Sequence, residues 1–249
     1  MNNAFIKKLS IKSKILRKEI LDIVFNSNGG HIGGSYSILD VLYYLYNYHI
    51  DINPKKPFDP KRDYLIYSKG HCCLALYTVL SDRGFFNKKE LKNYSKNNGK
   101  VGGHPKRFDL PGIEASTGSL GHGLSIANGI AHGLLKKDFK NKVYVILGDG
   151  ELNEGSVWEG LLYASQHNLH NLNIIIDNNN QISLDKLDNI LSIEPIYKRL
   201  KTFKFNVYSF DGHNYEEIIK NFESSKKNKK NKANIFISNS IKGKGISFM

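Results

Sequence analysis

The side chains best suited to bind a metal ion lie in two short polar turns of this sequence. Asp149 lies in a Gly-Asp-Gly turn directly after the apolar run 143–147, which is typical of a buried parallel strand. A second apolar run, 173–176, precedes a turn that contains Asn179. Because open α/β sheets hold ligands at the carboxyl ends of their strands, we expect the carboxylate of Asp149 and the amide oxygen of Asn179 to bind one hard cation.

The same region is suited to bind a diphosphate group. The glycines beside Asp149 allow a sharp turn and let the backbone come close to a bulky ligand. A helix that begins near Glu154 would direct its positive end and free N–H groups toward a phosphate. Magnesium is usually held by few protein ligands together with phosphates and water. The pattern therefore predicts a magnesium diphosphate site.

Histidines form the second chemically informative pattern. His31, His71 and His104 each follow a glycine at a predicted junction between a loop and a regular element. Imidazole transfers protons near neutral pH and can form hydrogen bonds with sugar hydroxyl groups. We expect the three rings to converge on one pocket.

The elements that position these residues alternate between strands and helices. Apolar periodicity predicts a largely parallel, doubly wound sheet with helices on both faces, an α/β fold, in a single domain over 1–249. The segment 100–123 is rich in glycine and lacks a regular pattern, which is typical of a functional loop. Strands are predicted at 64–67, 143–147, 174–177, 206–210 and 235–238. Helices are predicted at 5–26, 38–48, 74–83, 124–136, 157–166, 195–202 and 215–224.

Composition excludes several classes of protein. The 249 residues are 40% hydrophobic and 24% charged, as in ordinary globular domains, and no apolar run approaches the length of a membrane helix. The net charge of +13 comes from scattered lysines, so we expect no nucleic-acid binding; the densest run, 226–232, is interpreted as a solvated loop. Two adjacent cysteines, Cys72 and Cys73, cannot form a disulfide framework and indicate a reducing, cytoplasmic location, with organelle import as the alternative.

Taken together, the motifs resemble the thiamine-diphosphate signature, and more closely the N-terminal half of transketolase. This resemblance implies a domain of the type that binds the diphosphate of the cofactor. The resemblance extends from about residue 20 to residue 249. It rests on Gly30-His31-Ile32-Gly33-Gly34-Ser35, Ser68-Lys69-Gly70-His71, Gly102-Gly103-His104-Pro105, Ser116-Thr117-Gly118-Ser119-Leu120-Gly121-His122-Gly123, the Gly-Asp-Gly turn and Asp211-Gly212-His213.

The resemblance implies thiamine diphosphate and Mg²⁺ as cofactors and assigns their contacts. The metal ligands would be the side chains of Asp149 and Asn179 and the backbone carbonyl of Gln181. The cofactor would also meet the N–H of Gly150 and contacts from Gly118 and Leu120. These are expectations carried over from the family, position by position.

The resemblance also assigns catalytic roles. His31 and His104 would face the hydroxyl groups of the substrate, and His71 would lie near the cofactor diphosphate and the reacting carbons. Glu154, assigned to both the catalytic and the cofactor-binding residues, would lie with Glu159 at a subunit boundary that links two active sites. Two further histidines receive no catalytic role. His122 replaces a glutamine that is common in the family and is expected to be only a neighbour of the site. His213 matches the family motif Asp211-Gly212-His213 at a strand end and is expected to be structural.

The family implies that this chain contains only half of an active site. The pyrimidine-binding and C-terminal domains, which supply a glutamate to the cofactor and grip the sugar phosphate, are not recognisable in the sequence. The segment that ends at Met249 normally continues to another histidine that contacts the diphosphate. We therefore expect a split transketolase, in which a separate C-terminal transketolase subunit completes the site, in an α2β2 assembly that acts on sugar phosphate substrates.

Two other functions stay open at this stage. One is a different thiamine-diphosphate enzyme, such as a deoxyxylulose-phosphate synthase or a two-subunit dehydrogenase component. The three Gly-His pairs favour transketolase, because sugar hydroxyls call for several hydrogen-bonding groups. The other is an inactive relative kept as a binding or regulatory subunit. Lys186, at a position where the family usually has glycine, gives this alternative some weight.

Overall fold

A five-stranded parallel sheet runs through the protein. The computed structural model describes residues 3–27, 29–97, 99–227 and 232–249. The strands lie in the order β1-β2-β3-β5-β4, and every neighbouring pair is parallel. Each predicted strand is present within two residues of its predicted ends. Their bounds are β1 Tyr64–Tyr67, β2 Val143–Gly148, β3 Leu172–Asn178, β4 Asn206–Asp211 and β5 Asn234–Asn239.

Helices cover both faces of this sheet. The helices in the described residues are α1 Asn3–Ser27, α2 Ile32–Tyr44, α3 Cys73–Arg83, α4 Gly123–Lys136, α5 Gly155–Gln166, α6 Leu187–Ile190, α7 Ile196–Lys201 and α8 Tyr215–Lys227. Short 3-10 turns at Gly70–Cys72 and Gly150–Asn153 lie just before α3 and α5. The densest basic run was interpreted as a loop; of that run, residues 228–231 lie outside the described residues.

The strands divide their side chains between two hydrophobic cores. Along β2, Val145 and Leu147 pack with α4 and α5, whereas Tyr144 and Ile146 pack on the opposite face with α2 and α8. Successive side chains of a strand point to opposite faces, so a strand that is apolar throughout must be covered on both. The predicted doubly wound α/β fold is confirmed.

Helix α2 begins earlier than the sequence predicted. The prediction placed its start at 38, but the helix begins at Ile32 and is followed by a wider π-helical turn, Leu45–His49. Gly33 and Gly34 lowered the apparent helix propensity of the first turn. Tertiary packing explains the glycine: a Cβ on Gly33 would lie 2.9 Å from Cγ of Lys242.

A buried polar network joins α1, α2 and α8. The Asp40 carboxylate accepts hydrogen bonds from Arg17 Nη1 at 3.0 Å and from Arg17 Nη2 at 2.6 Å. It also accepts one from Nδ1 of His213 at 2.8 Å. Burial alone would raise the pKa of Asp40, but the His213 hydrogen bond and the Arg17 charge outweigh it and lower the pKa from 3.8 to about 2. Asp40 therefore stabilises the fold in its ionised form.

Replacement of Asp40 by asparagine is expected to destabilise the protein at neutral pH by at least about 2 kcal/mol, the equivalent of the lowered pKa. Because the folded pKa lies below the unfolded one, this stability is present above about pH 3.8 and is lost as the pH falls through about 2. Urea titrations measure the free energy of unfolding of wild type and Asp40→Asn. The difference between the two proteins at pH 3 should be about half of the difference at pH 7. The exposed Asp138→Asn is the control, and a deficit of equal size at both pH values would contradict the prediction.

Within the described residues, no helix is both long enough and apolar enough to cross a membrane.

Candidate active site

A cleft of about 560 Å³ opens where the chain leaves the carboxyl ends of the strands. Its walls come from the turn before α2, the Ser-Lys-Gly-His turn, Leu120, the Gly-Asp-Gly turn, the turn after β3 and Lys242. A larger depression of about 820 Å³ lies at the amino ends of β2 and β3, and its lining includes none of the residues predicted for the site. The cleft is therefore the candidate site.

Asp149 lies at the floor of this cleft, at the end of β2. Its side chain is nearly fully buried, with Oδ1 accepting a hydrogen bond from Gly150 N at 2.8 Å and Oδ2 accepting one from Asn180 N at 2.5 Å. Burial and the nearby charge of Asp177 raise the pKa of Asp149 from 3.8 to about 6, against the two N–H donors. The carboxylate is thus held in place in an environment that disfavours its charge.

The other two predicted metal ligands lie in the turn that donates to Asp149. Strands β2 and β3 are paired so that Gly148 is opposite Asp177, which places this turn beside the Gly-Asp-Gly turn. The Asn179 side chain accepts a hydrogen bond from Gln181 N at 3.1 Å and donates to Asp177 Oδ2 at 3.3 Å. Both Asn179 and Gln181 line the cleft.

The donor set fits a hard divalent cation. No cluster of three or more His, Cys, Asp or Glu side chains suited to a metal occurs in the described part of the chain, so a metal here would rely on carboxylate, amide and carbonyl oxygens. Among the described residues no basic side chain forms an ion pair with Asp149, whereas neighbouring Asp177 is paired with Lys69. A cation beside Asp149 would offset a buried, unbalanced charge.

Asp177 is the centre of a network that sequence reasoning missed. It is fully buried and binds the Lys69 ammonium, the Asn179 amide and the hydroxyls of Ser37 and Ser240. Burial would lower the pKa of Lys69, but the charge of Asp177 outweighs it and raises that pKa, so the pair is ionic. Asp177 itself points into the protein and fixes the turn that carries Asn179.

Two of the three predicted histidines face one another in the cleft. The rings of His31 and His71 are edge to face, with centroids 5.4 Å apart, and both line the cleft. Burial, followed by the charge of Lys69, lowers the pKa of His71 to about 4, so its imidazole is neutral at physiological pH. His104 is not among the residues that line the cleft, so the expected convergence of three rings holds for two of them. The His104 ring lies against Gly118: a Cβ built on that glycine would be 2.8 Å from His104 Cδ2.

The glycine-rich loop before α4 approaches the cleft closely. Leu120 lines it, and Gly118 has a φ of 151°, which a residue with a side chain rarely adopts. Gly150 also lines the cleft, and a Cβ there would be 2.5 Å from Cγ2 of Ile182. A side chain at either glycine would thus collide with a neighbouring side chain, that of His104 or that of Ile182.

The two acidic residues after the Gly-Asp-Gly turn occupy different environments. Glu151, which sequence reasoning did not select, is buried and accepts hydrogen bonds from Ser68, from Gly121 N at 2.9 Å and from Gly148 N at 3.2 Å. It ties three loops of the site together. The predicted Glu154 is exposed at the start of α5, and its side chain caps no backbone N–H there.

Lys242 adds a cation to the cleft that the sequence did not single out. Its Nζ donates to the carbonyl of Ile182 at 2.7 Å, and both residues line the cleft. Its charge is also among the causes that lower the pKa of His71. Lys69 is already paired with Asp177, whereas Lys242 forms no ion pair among the described residues, so Lys242 is the cation that could meet an anion in the cleft.

Comparison with known proteins identifies the family. The model of the family described as "Transketolase, thiamine diphosphate binding domain" matches residues 10–248. The chain belongs to the transketolase family. The sequence-based identification is therefore confirmed, and a thiamine-diphosphate-binding domain accounts for nearly the whole chain.

Some relatives of this transketolase-family chain are about as long as it is, and others are much longer. An apulose-4-phosphate transketolase subunit of Phocaeicola vulgatus is 37% identical over 244 residues, which cover 98% of this chain and 86% of the relative. A 6-deoxy-6-sulfo-D-fructose transketolase subunit of a Clostridium species is 35% identical, covering 96% of this chain and 87% of its own length. The full-length transketolase of Dictyostelium discoideum is 32% identical, but the match covers only 39% of it.

Solved structures agree with this assignment. Transketolase from Campylobacter jejuni superimposes with a TM-score of 0.91 at 33% identity, and the match covers 99% of this chain and 39% of that one. Transketolase from Leishmania mexicana gives the same TM-score at 27% identity, over 96% of this chain and 37% of the other. The chain thus spans about two-fifths of the length of these enzymes and corresponds to their cofactor-binding part.

Proposed function

We propose that this chain is the N-terminal subunit of a split transketolase, which transfers a two-carbon ketol unit between sugar phosphates. The observation that carries the proposal is its match, over almost the full length of both chains, to proteins that are named as single subunits of transketolases. In this proposal a separate C-terminal subunit completes the active site in an α2β2 assembly. The enzyme would act in the cytoplasm, in carbohydrate metabolism of the pentose phosphate type.

The cleft would hold thiamine diphosphate together with Mg²⁺. Asp149, the Asn179 side chain and the Gln181 carbonyl would bind the metal, supported by the burial of Asp149 without a basic partner among the described residues. Lys242 and the backbone at Gly150 would face the diphosphate; the Gly150 N–H, which donates to Asp149 in this structure, would turn toward the ligand to meet it. When bound, thiamine diphosphate supplies the carbanion-stabilising chemistry that protein side chains lack.

The histidines would orient the sugar. His71 is neutral at physiological pH, so it can donate a hydrogen bond from one ring nitrogen and accept one at the other. His31, with its ring against that of His71, would share the hydroxyl groups of the substrate. His104 would hold Gly118 and the glycine-rich loop against the cofactor and bind substrate at its outer edge.

The surface around the cleft supports a partner. Glu154 and Glu159 are exposed on the helix that follows the Gly-Asp-Gly turn, and Leu184, in the loop that lines the cleft, has 86% of its surface exposed. In the proposed assembly the second chain would cover this side chain. In the proposed enzyme this second chain contributes the residues that grip the sugar phosphate.

Turnover by the purified chain tests the proposal. With thiamine diphosphate, Mg²⁺, labelled xylulose 5-phosphate and an aldose phosphate acceptor, the chain alone should give negligible product. Addition of a separate C-terminal transketolase subunit should produce two-carbon transfer. Robust activity without a partner would contradict the half-site argument. Product analysis also separates transketolase from a deoxyxylulose-phosphate synthase or a dehydrogenase component.

The alternative of an inactive binding or regulatory subunit has its own test. Calorimetric titration with thiamine diphosphate and Mg²⁺ in the presence of the C-terminal subunit should show saturable binding. Failure to bind under these conditions would favour the inactive relative.

A further inference from the structure

His213 connects the core of the protein to the segment that carries Lys242. Its Nδ1 lies 2.8 Å from Asp40 Oδ2 on α2, and its Nε2 lies 2.9 Å from the backbone N of Ile241. A backbone N–H can only donate, so Nε2 accepts and the single ring proton lies on Nδ1, where it is donated to Asp40. The side chain of His213 is 7% exposed. The imidazole is therefore a rigid link with a defined direction.

The backbone on both sides of Lys242 is fixed by such contacts. Ile241 N is held by His213, and Gly243 N donates to the carbonyl of Gly33 at 3.0 Å. Gly33 belongs to the first turn of α2, two turns before Asp40, so both anchors refer to the same helix. With the peptide groups before and after it held, the Cα–Cβ bond of Lys242 has a fixed direction, and its ammonium reaches the Ile182 carbonyl at the cleft.

We propose that His213 is a positioning residue: through Asp40 and the Ile241 N–H, it sets the Lys242 ammonium at the mouth of the cleft. Arg17 binds both oxygens of the Asp40 carboxylate, including the Oδ2 that accepts from His213, so the link rests on an ion pair within the core. The effect on ligand binding rests on the proposed function, because it requires an anionic diphosphate in the cleft. The effect on the backbone at Ile241 does not.

Two conservative variants separate the two hydrogen bonds of His213. In His213→Asn the side-chain amide reaches the position of Nδ1, so it can still donate to Asp40 but no longer reaches Ile241. In His213→Gln the amide oxygen reaches the position of Nε2, so it can still accept from Ile241. Thermal unfolding of both variants checks that each is folded.

Amide hydrogen exchange on the full chain tests the placement directly. The Ile241 amide should exchange at least about fivefold faster in His213→Asn, as expected for the loss of one hydrogen bond, and near the wild-type rate in His213→Gln. The inference is overturned if His213→Asn leaves the exchange unchanged or if both variants accelerate it equally. If His213→Asn does not fold, wild-type exchange in His213→Gln supports the link and faster exchange overturns it.

A double-mutant cycle with Lys242→Ala tests the consequence for the cleft. With the C-terminal subunit present, His213→Asn should weaken the binding of thiamine diphosphate with Mg²⁺ by about five- to tenfold, measured by calorimetry, whereas in the Lys242→Ala background it should change affinity less than about twofold. Equal weakening in both backgrounds would overturn the action through Lys242. If wild type itself binds no cofactor, the proposed function fails, and the exchange experiment still decides the role of His213.

Discussion

Asp149→Asn is expected to weaken the binding of thiamine diphosphate with Mg²⁺ at least about 100-fold, more than the usual cost of losing a group that merely supports a metal ligand. The substitution removes the buried carboxylate at the cleft floor that lacks a basic partner in the described structure. An amide also cannot accept from both the Gly150 and the Asn180 N–H, because one of its ends is a donor. The variant therefore loses both the charge and the shape of the proposed metal site.

Calorimetry and thermal unfolding in the presence of the C-terminal subunit measure this effect. Ligand at about 100 times its dissociation constant should stabilise the wild type by about 2.7 kcal/mol and leave Asp149→Asn nearly unaffected. Asp138→Asn, at an exposed position far from the cleft, is the matched control and should respond as the wild type does. If Asp149→Asn binds thiamine diphosphate with Mg²⁺ nearly as tightly as the wild type, the assignment of the metal site is wrong.

His71→Ala should lower the turnover of the assembled enzyme by about 10²- to 10⁴-fold, the range expected when a positioned proton-transferring or hydrogen-bonding group is lost. The expectation rests on the location of this ring beside His31 in the cleft and on its pKa of about 4, which keeps the imidazole neutral. A neutral ring can hydrogen-bond a hydroxyl group with either nitrogen. Alanine has no side-chain group that can form such a hydrogen bond.

Steady-state kinetics with and without saturating cofactor separate catalysis from binding. A loss that persists at saturating thiamine diphosphate places His71 in the chemical step, whereas a loss that saturating cofactor restores would assign it to cofactor binding alone. His170→Ala provides the control, because that histidine is exposed near the amino end of β3, away from the cleft. A decrease of less than about threefold for His71→Ala would contradict a catalytic role.

The sequence predicted the sheet because its strands carry a strong local signal. The runs that became β2 and β3 are wholly apolar, and such short runs between turn residues indicate strands buried on both faces. The start of α2 was not predictable in the same way. Gly33 and Gly34 are poor helix formers, and they are required there by contacts with Lys242 and Cys72, which lie far away in the sequence.

The candidate site was predicted only in part. Exposed or glycine-flanked polar residues such as Asp149 and His31 have a recognisable local pattern. Lys69 does not, because a lysine is normally exposed and only the buried Asp177, more than a hundred residues away, explains its burial. Glu151 and Glu154 lie in the same turn, and sequence reasoning selected the exposed one; the fold alone distinguishes them.

The two cysteines offer a natural reporter of local opening. Both thiols are buried and form no disulfide: Cys72 packs against Gly34 in the first turn of α2, and Cys73 is the first residue of α3. Burial raises the pKa of Cys72 to about 11 and that of Cys73 to about 12. In the closed protein neither thiol forms the thiolate that alkylating reagents attack. The rate of modification by iodoacetamide therefore records how often the wall of the cleft that carries both facing histidines opens, without any engineered label.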